Sequence, residues 1–145
     1  MNKRRSMLIT LGLATACSKA QPPATAPSVP SADAAWLRPV PKGEMAAIYF
    51  TIHNPTDVPL VLTGVAVGGV PHATFHESME HGGMAHMSDR DSLVVAAHDS
   101  VVFAPRALHV MAHGVPRALA SGDTIGVRVT TRNGPALTTR ATVRE

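Results

Sequence analysis

Beyond Trp36 the chain alternates between apolar and polar positions. Ile48, Phe50 and Ile52 share one side of a period-two pattern, with Tyr49, Thr51 and His53 on the other. Ile125, Val127 and Val129 alternate with Thr124, Gly126, Arg128 and Thr130. Leu137, Thr139, Ala141 and Val143 alternate with Thr138, Arg140, Thr142 and Arg144. Such alternation predicts antiparallel strands with one buried face. No stretch keeps a 3.6-residue period over three turns. Turn signals separate the runs: Asn54-Pro55-Thr56-Asp57, Gly68-Gly69-Val70-Pro71, Gly82-Gly83, His98-Asp99-Ser100, Gly122-Asp123 and Asn133-Gly134. Roughly eight or nine short strands follow, the pattern of an all-β sandwich or small barrel.

The N-terminal part lacks this pattern. Lys3, Arg4 and Arg5 precede an apolar run from Leu8 to Ala14. The run is too short for a bilayer span, which needs about 20 residues, and fits an export signal. Ala14, Thr15 and Ala16 lead into Cys17. This resembles the lipobox of bacterial lipoproteins, whose cysteine is lipidated and becomes the new N-terminus. Leu is usual three places before that cysteine; here Ala14 stands there and Leu13 one place earlier. Lipidation at Cys17, or plain cleavage nearby, places the remainder in the periplasm or on the outer face of a bacterial membrane. Residues 18–35, rich in Pro, Ala and Ser, read as a flexible tether. The expected organisation is therefore a signal over 1–17, a tether over 18–35 and one folded domain over 36–145.

Composition narrows the function. With 145 residues and 45% hydrophobic content, one ordinary core is expected. The formal charge of +3 comes from the signal: without Lys3, Arg4 and Arg5 the basic residues equal the 10 acidic ones. No basic patch remains for nucleic acid. The single cysteine excludes a disulfide framework and a multi-cysteine zinc site. Histidine and methionine are abundant instead, at 8 and 7. All the histidines except His53 fall between His72 and His113, and Met79, Met84, Met87 and Met111 fall in the same stretch.

On a strand, Leu108, Val110 and Ala112 would face inward while His109, Met111 and His113 project from the opposite face. His76 lies on another strand-like run, Ala73 to Met79, and Met87 follows the Gly82-Gly83 turn. A hairpin of these segments could bring His76 and Met87 beside His109 and Met111. Thioether sulfur is soft and uncharged, and imidazole is borderline, so two of each suit Cu(I). The set lacks the oxygen donors that Ca²⁺ and Mg²⁺ require and is poor for Zn²⁺. A blue-copper centre needs a cysteine ligand, and Cys17 lies in the signal.

Ten residues separate His76 from Met87, twenty-one separate Met87 from His109, and one separates His109 from Met111. This His-x10-Met-x21-His-x-Met pattern resembles the periplasmic copper chaperones of the PCuAC type. The resemblance also takes in Ala47-Ile48-Tyr49 and the stretch from Asp57 to Val65. It implies a cupredoxin-like, immunoglobulin-like antiparallel β-sandwich binding one Cu(I) through His76, Met87, His109 and Met111. It further implies delivery toward cytochrome oxidase assembly, to an oxidase subunit or through a thiol-containing copper chaperone. The chain departs from the family in carrying Met79 three residues after the first histidine, in having His113 where an apolar residue or Met is common, and in ending at Glu145 without a His/Met-rich tail.

Other residues of the cluster are weaker candidates. Met79 and Met84 serve as packing or as accessory soft ligands. His81 and His86 flank a small, flexible turn and, with help from His113, could form a second nitrogen-rich site preferring Cu(II). His53, His72 and His98 read as structural or solvated, and Trp36 and Tyr49 as packing. Glu77, Glu80, Asp89 and Asp91 are scattered acids. Nothing marks a nucleophile, a substrate cleft or a phosphate-cradling loop, so no catalytic residue is assigned. A metallochaperone leads; a copper-sequestering resistance protein, a copper or zinc enzyme and an immunoglobulin-like structural lipoprotein are the alternatives.

Overall fold

A computed structural model describes residues 28–145. The expected signal over 1–17, with Cys17, and most of the expected tether lie outside the described residues. The described residues form ten strands and no helix: β1 (Ser31–Leu37), β2 (Ala46–Asn54), β3 (Leu60–Val67), β4 (His72–His81), β5 (Met84–Arg90), β6 (Leu93–Val95), β7 (Asp99–Val102), β8 (Leu108–His113), β9 (Thr124–Thr131) and β10 (Leu137–Val143). Two short strands beside the turns, β6 and β7, raise the number above the eight or nine expected.

The strands run in the order β5-β4-β8-β2-β1-β10-β9-β3-β6, with β7 pairing the second half of β2 beyond the end of β8. This is a cupredoxin-like, immunoglobulin-like β-sandwich, and its pairing is antiparallel except between β1 and β10, which are parallel. Strand β1 corrects the expected tether boundary. It begins at Ser31, so Ser31 to Ala35 belong to the fold. Its period-two signal is broken by a bulge between Asp33 and Trp36, with Ala34 at φ 52°, and a bulge slips the inside-outside alternation by one.

The alternation read from the sequence is the observed burial. Every other residue of β2 from Ala46 to Asn54 is buried, as are Ile125, Val127 and Val129 of β9. Phe50 and Phe75 meet Phe103, with ring centres 4.4 and 5.9 Å away. The buried Asn54 is fully used: its Nδ2 donates to the carbonyls of Val58, Val95 and Ala96, and its Oδ1 accepts from Thr56. It ties the end of β2 to the start of β3 and to β6, closing one end of the sandwich. On the outer face Trp36 stacks on Tyr49 at 4.6 Å, with Arg144 over the indole.

Candidate metal centre

The cluster of histidines and methionines sits on β5, β4 and β8, at one edge of the sheet. Gly82 and Gly83 form the two-residue turn of the β4–β5 hairpin, at φ +60° and +80°. Both central positions of such a turn need positive φ, which glycine adopts without strain. The turn fixes the register: Met87 lies opposite Ser78, and Asp89 opposite His76. Between β4 and β8, His76 lies opposite His109, Thr74 opposite Met111 and His72 opposite His113. Residues directly opposite share a face, and every second residue along a strand does too. His76, Met87, His109 and Met111 therefore stand on one outer face of the sheet, with Asp89, His72 and His113 beside them.

Their exposure is graded. His109 was expected to project outward, and it does, yet it is only 4% exposed. Neighbouring rings cover it: Tyr49 of β2 lies 6.4 Å away and His76 lies 5.7 Å away, centre to centre. The side chain of His76 is 15% exposed. Met111 is half-buried, whereas Met87, on the edge strand, is 64% exposed. Met79, Met87, His109 and Met111 help to line one open hollow of about 490 Å³, floored by Ala47 and Tyr49 and rimmed by Arg106. His76 adjoins it through Ser78, two residues along β4 and part of its lining.

Hydrogen bonds set the tautomers of both histidines. His109 Nδ1 lies 3.0 Å from the carbonyl of Ala107, so that nitrogen carries the proton and Nε2 keeps its lone pair. The same carbonyl accepts from Ser78 N–H, which joins β4 to the entry of β8. His76 Nε2 lies 2.9 Å from Asp89 Oδ1, so Nε2 donates and Nδ1 keeps the lone pair. That Nδ1 is buried and has no hydrogen-bond partner. Burial holds His76 below the usual imidazole pKa. Asp89 opposes the shift, and His109, His113 and His72 reinforce it. The ring is thus neutral and ligand-ready near pH 7. Among the described residues no three His, Cys, Asp or Glu side chains converge closely enough to hold a metal ion. The spaced four-residue set adds two thioethers to its two imidazoles.

The other candidates are placed differently. Met79 pairs with His86 and Met84 with His81, out of step with His76 and Met87 along the hairpin, and of these only Met79 still borders the hollow. His113 does not join them as expected. It sits nine residues of strand from the level of His81, about 30 Å, because the β4–β8 register sets it opposite His72. His53 bonds Ser100 and Asp33, and His98 bonds Asp57. Glu77 is paired with Arg90. Asp89, read as one scattered acid among several, is the partner of His76. Counting outward from the Gly82-Gly83 turn gives that pairing from the sequence.

A family model described as "Putative lipoprotein LpqE-like" matches residues 31–143. No curated protein sequence matches the chain. Among solved structures, Cu(I)-bound DR1885 from Deinococcus radiodurans is 29% identical, with a TM-score of 0.60 over 80% of this chain and 76% of that one. The copper-bound PCuAC domain of PmoF2 is 22% identical, with a TM-score of 0.64 over 78% of this chain and 90% of that one. The apo PCuAC domain of PmoF1 is 19% identical, with a TM-score of 0.63 over 78% and 91%. These two likenesses show the fold.

Proposed function

The chain belongs to the LpqE-like family, and from that membership and the geometry of its outer face we propose that it is an extracytoplasmic copper carrier holding one Cu(I) on His76, Met87, His109 and Met111. The observation that carries the reading is the register. One pairing within the β4–β5 hairpin, Met87 opposite Ser78, and two between β4 and β8, His109 opposite His76 and Met111 opposite Thr74, bring all four residues of the spaced motif to one face. Two imidazoles, each with one ring nitrogen left free by its hydrogen bond, and two thioethers are a soft donor set matched to Cu(I). The copper is cargo: His76 offers Nδ1, His109 offers Nε2, and Met87 and Met111 complete the set from either side. The copper bound by two structural neighbours, DR1885 and the PmoF2 domain, supports copper as the ligand.

The same arrangement favours carrying over catalysis. Uncharged donors let an ion leave for a thiolate-bearing acceptor. The acceptor we propose is a copper-receiving subunit of cytochrome oxidase or a thiol-containing chaperone that serves it, with Cys17 lipidated to hold the domain at the membrane. Anaerobic titration with Cu(I) against a competing chelator, followed by X-ray absorption, tests the reading. One equivalent bound with both sulfur and nitrogen scatterers is expected. A shell of nitrogen and oxygen alone refutes it.

A further inference from the structure

Two histidines of this face stand outside the four-residue motif, and the register places them opposite one another. His72 and His113 form a cross-strand pair between β4 and β8, with ring centres 5.5 Å apart and planes tilted by 38°. His113 also leans toward His76, 6.4 Å away. Two imidazoles that share an ion hold it about 2.0–2.1 Å from each donor nitrogen, hence about 3.2 Å from each ring centre, so the centres lie about 4.5 Å apart across the right angle of a tetragonal ion and about 6.4 Å apart across a straight one. The observed spacing falls between those limits. His72 is exposed and His113 half-buried, so solvent ions reach the pair.

A second observation points to a ligand at the same place. Among the described residues, two buried side-chain polar atoms lack a hydrogen-bond partner: Thr74 Oγ1 and His76 Nδ1. His76 Nδ1 is already assigned to the Cu(I) set. Thr74 lies on the same face of β4, between His72 and His76, and the motif leaves its hydroxyl unused. Buried hydroxyls are ordinarily satisfied, so this one is a polar group left over next to the His72–His113 pair.

We propose that His72 and His113 form a second metal site, distinct from the thioether site, which takes a divalent ion of the Cu(II) class. Two imidazoles with water in the remaining positions are a nitrogen-oxygen set, and among divalent first-row ions such sets bind Cu(II) most tightly. The rungs His72–His113 and His76–His109 are four residues apart along the strands, about 13 Å at the backbone. His113, leaning toward His76, narrows that gap at the side chains. The site stands on two paired strands. His81 and His86 lie out of step with this face along the exposed hairpin and take no part in it.

The test uses the full chain carrying Cys17→Ser, so that the thiol does not compete. One equivalent of Ag(I), a soft ion without redox exchange with Cu(II), fills the thioether site. Cu(II) is then added and followed by electron paramagnetic resonance and equilibrium dialysis. The expected result is one Cu(II) with superhyperfine coupling to two nitrogens. His72→Gln/His113→Gln should weaken that binding at least about tenfold and remove the coupling, and His81→Gln/His86→Gln should leave both unchanged. His72→Ala alone, at an exposed position, gives the same direction without disturbing the core. The proposal is overturned if the parent chain shows no nitrogen-coupled signal, if the His72/His113 variant keeps it, or if the His81/His86 variant loses it. Failure of the carrier reading shows separately, as Ag(I) lost on dialysis while the Cu(II) signal persists.

Discussion

Asp89→Ala separates a residue that orients a ligand from one that merely decorates the edge strand. The Asp89 side chain is 72% exposed, and its contact within this site is the one to His76 Nε2. An exposed carboxylate beside a neutral imidazole adds little to stability. The substitution should therefore change the unfolding free energy by about 0.5 kcal/mol or less, about 4 °C in Tm at most. Its effect on metal binding should be much larger. Without the carboxylate, nothing holds the proton on Nε2, and the ring divides between tautomers and orientations. Loss of such an orienting partner typically costs 10–100-fold in metal affinity, or about 1.4–2.7 kcal/mol. The measurement is Cu(I) competition at pH 7.5, where His76 is neutral with or without Asp89, combined with nitrogen NMR of the His76 ring. At lower pH a second effect opposes the first: removing Asp89 removes the charge that supports protonation of His76, so fewer protons compete with copper. Cu(I) affinity within twofold of the parent at pH 7.5, with the Nε2–H tautomer retained, would refute the orienting role.

Met87→Ala should cost about 0.5 kcal/mol or less in stability, because its side chain is already largely in water; Met111→Ala, half-buried, should cost about 1 kcal/mol, well short of the 2–5 kcal/mol of a core deletion. Both should weaken Cu(I) binding, read by the same competition, and a full core-sized loss in Met111→Ala would show that its side chain packs inward. Asn54→Ala strands three carbonyls in the closed end of the sandwich and should destabilise the fold by about 2 kcal/mol or more, a fall of about 10 °C in Tm, while leaving Cu(I) affinity unchanged. The apo protein should lose stability as pH falls below about 6.5, because His76 has a lower pKa folded than unfolded, so the unfolded chain binds the proton first. His76→Gln should flatten that part of the urea-midpoint profile. Asp123, whose pKa is lowered by the Ala120 N–H and by Arg117, acts only in a more acidic window, as pH falls through the carboxylate range.

The fold was legible wherever alternation ran unbroken. The strands around Ile48, Val127 and Ala141 declare an inner and an outer face, and the turn dipeptides mark their ends. β1 was hidden for a physical reason: Ala34 sits in a bulge, which slips the inside-outside pattern within seven residues, the first five of which also read as a small-residue tether. The parallel β1–β10 pair was hidden as well, since period two is blind to strand direction. For the site, a two-residue glycine turn determines every pairing of its hairpin, so the partners of His76 and Met87 were implicit in the positions of Gly82 and Gly83. The β4–β8 register carried no such marker. It arises because Phe75 and Val110 must both face the core, and only the folded chain shows that this sets His72 against His113. Burial of His109 was illegible for a related reason, because the rings that cover it come from β2 and β4.

The gradient of exposure across this face bears on how a carried ion is held and released. His109 is the fixed end: it is buried, its Nδ1 is tied to the Ala107 carbonyl, and its strand is flanked on both sides by β4 and β2. Met87 is the open end, on an edge strand whose outer side has no partner strand among the described residues. Backbone on an edge hairpin opens at lower cost than backbone in the middle of a sheet. Under the carrier reading an incoming thiolate would displace Met87 first and reach the ion from the solvent side, with both imidazoles still in place. Exchange then proceeds through a ligand swap at the exposed thioether and never requires a bare ion. This ordering makes the hairpin a kinetic element: replacing Gly82-Gly83 with Asn-Gly, which also favours the two-residue turn, should leave Cu(I) affinity unaltered. Deleting the Met87 thioether should instead speed copper loss to a thiol acceptor more than deleting Met111 does, as stopped-flow transfer would resolve. Equal acceleration by both deletions would place the departure of copper elsewhere on the face.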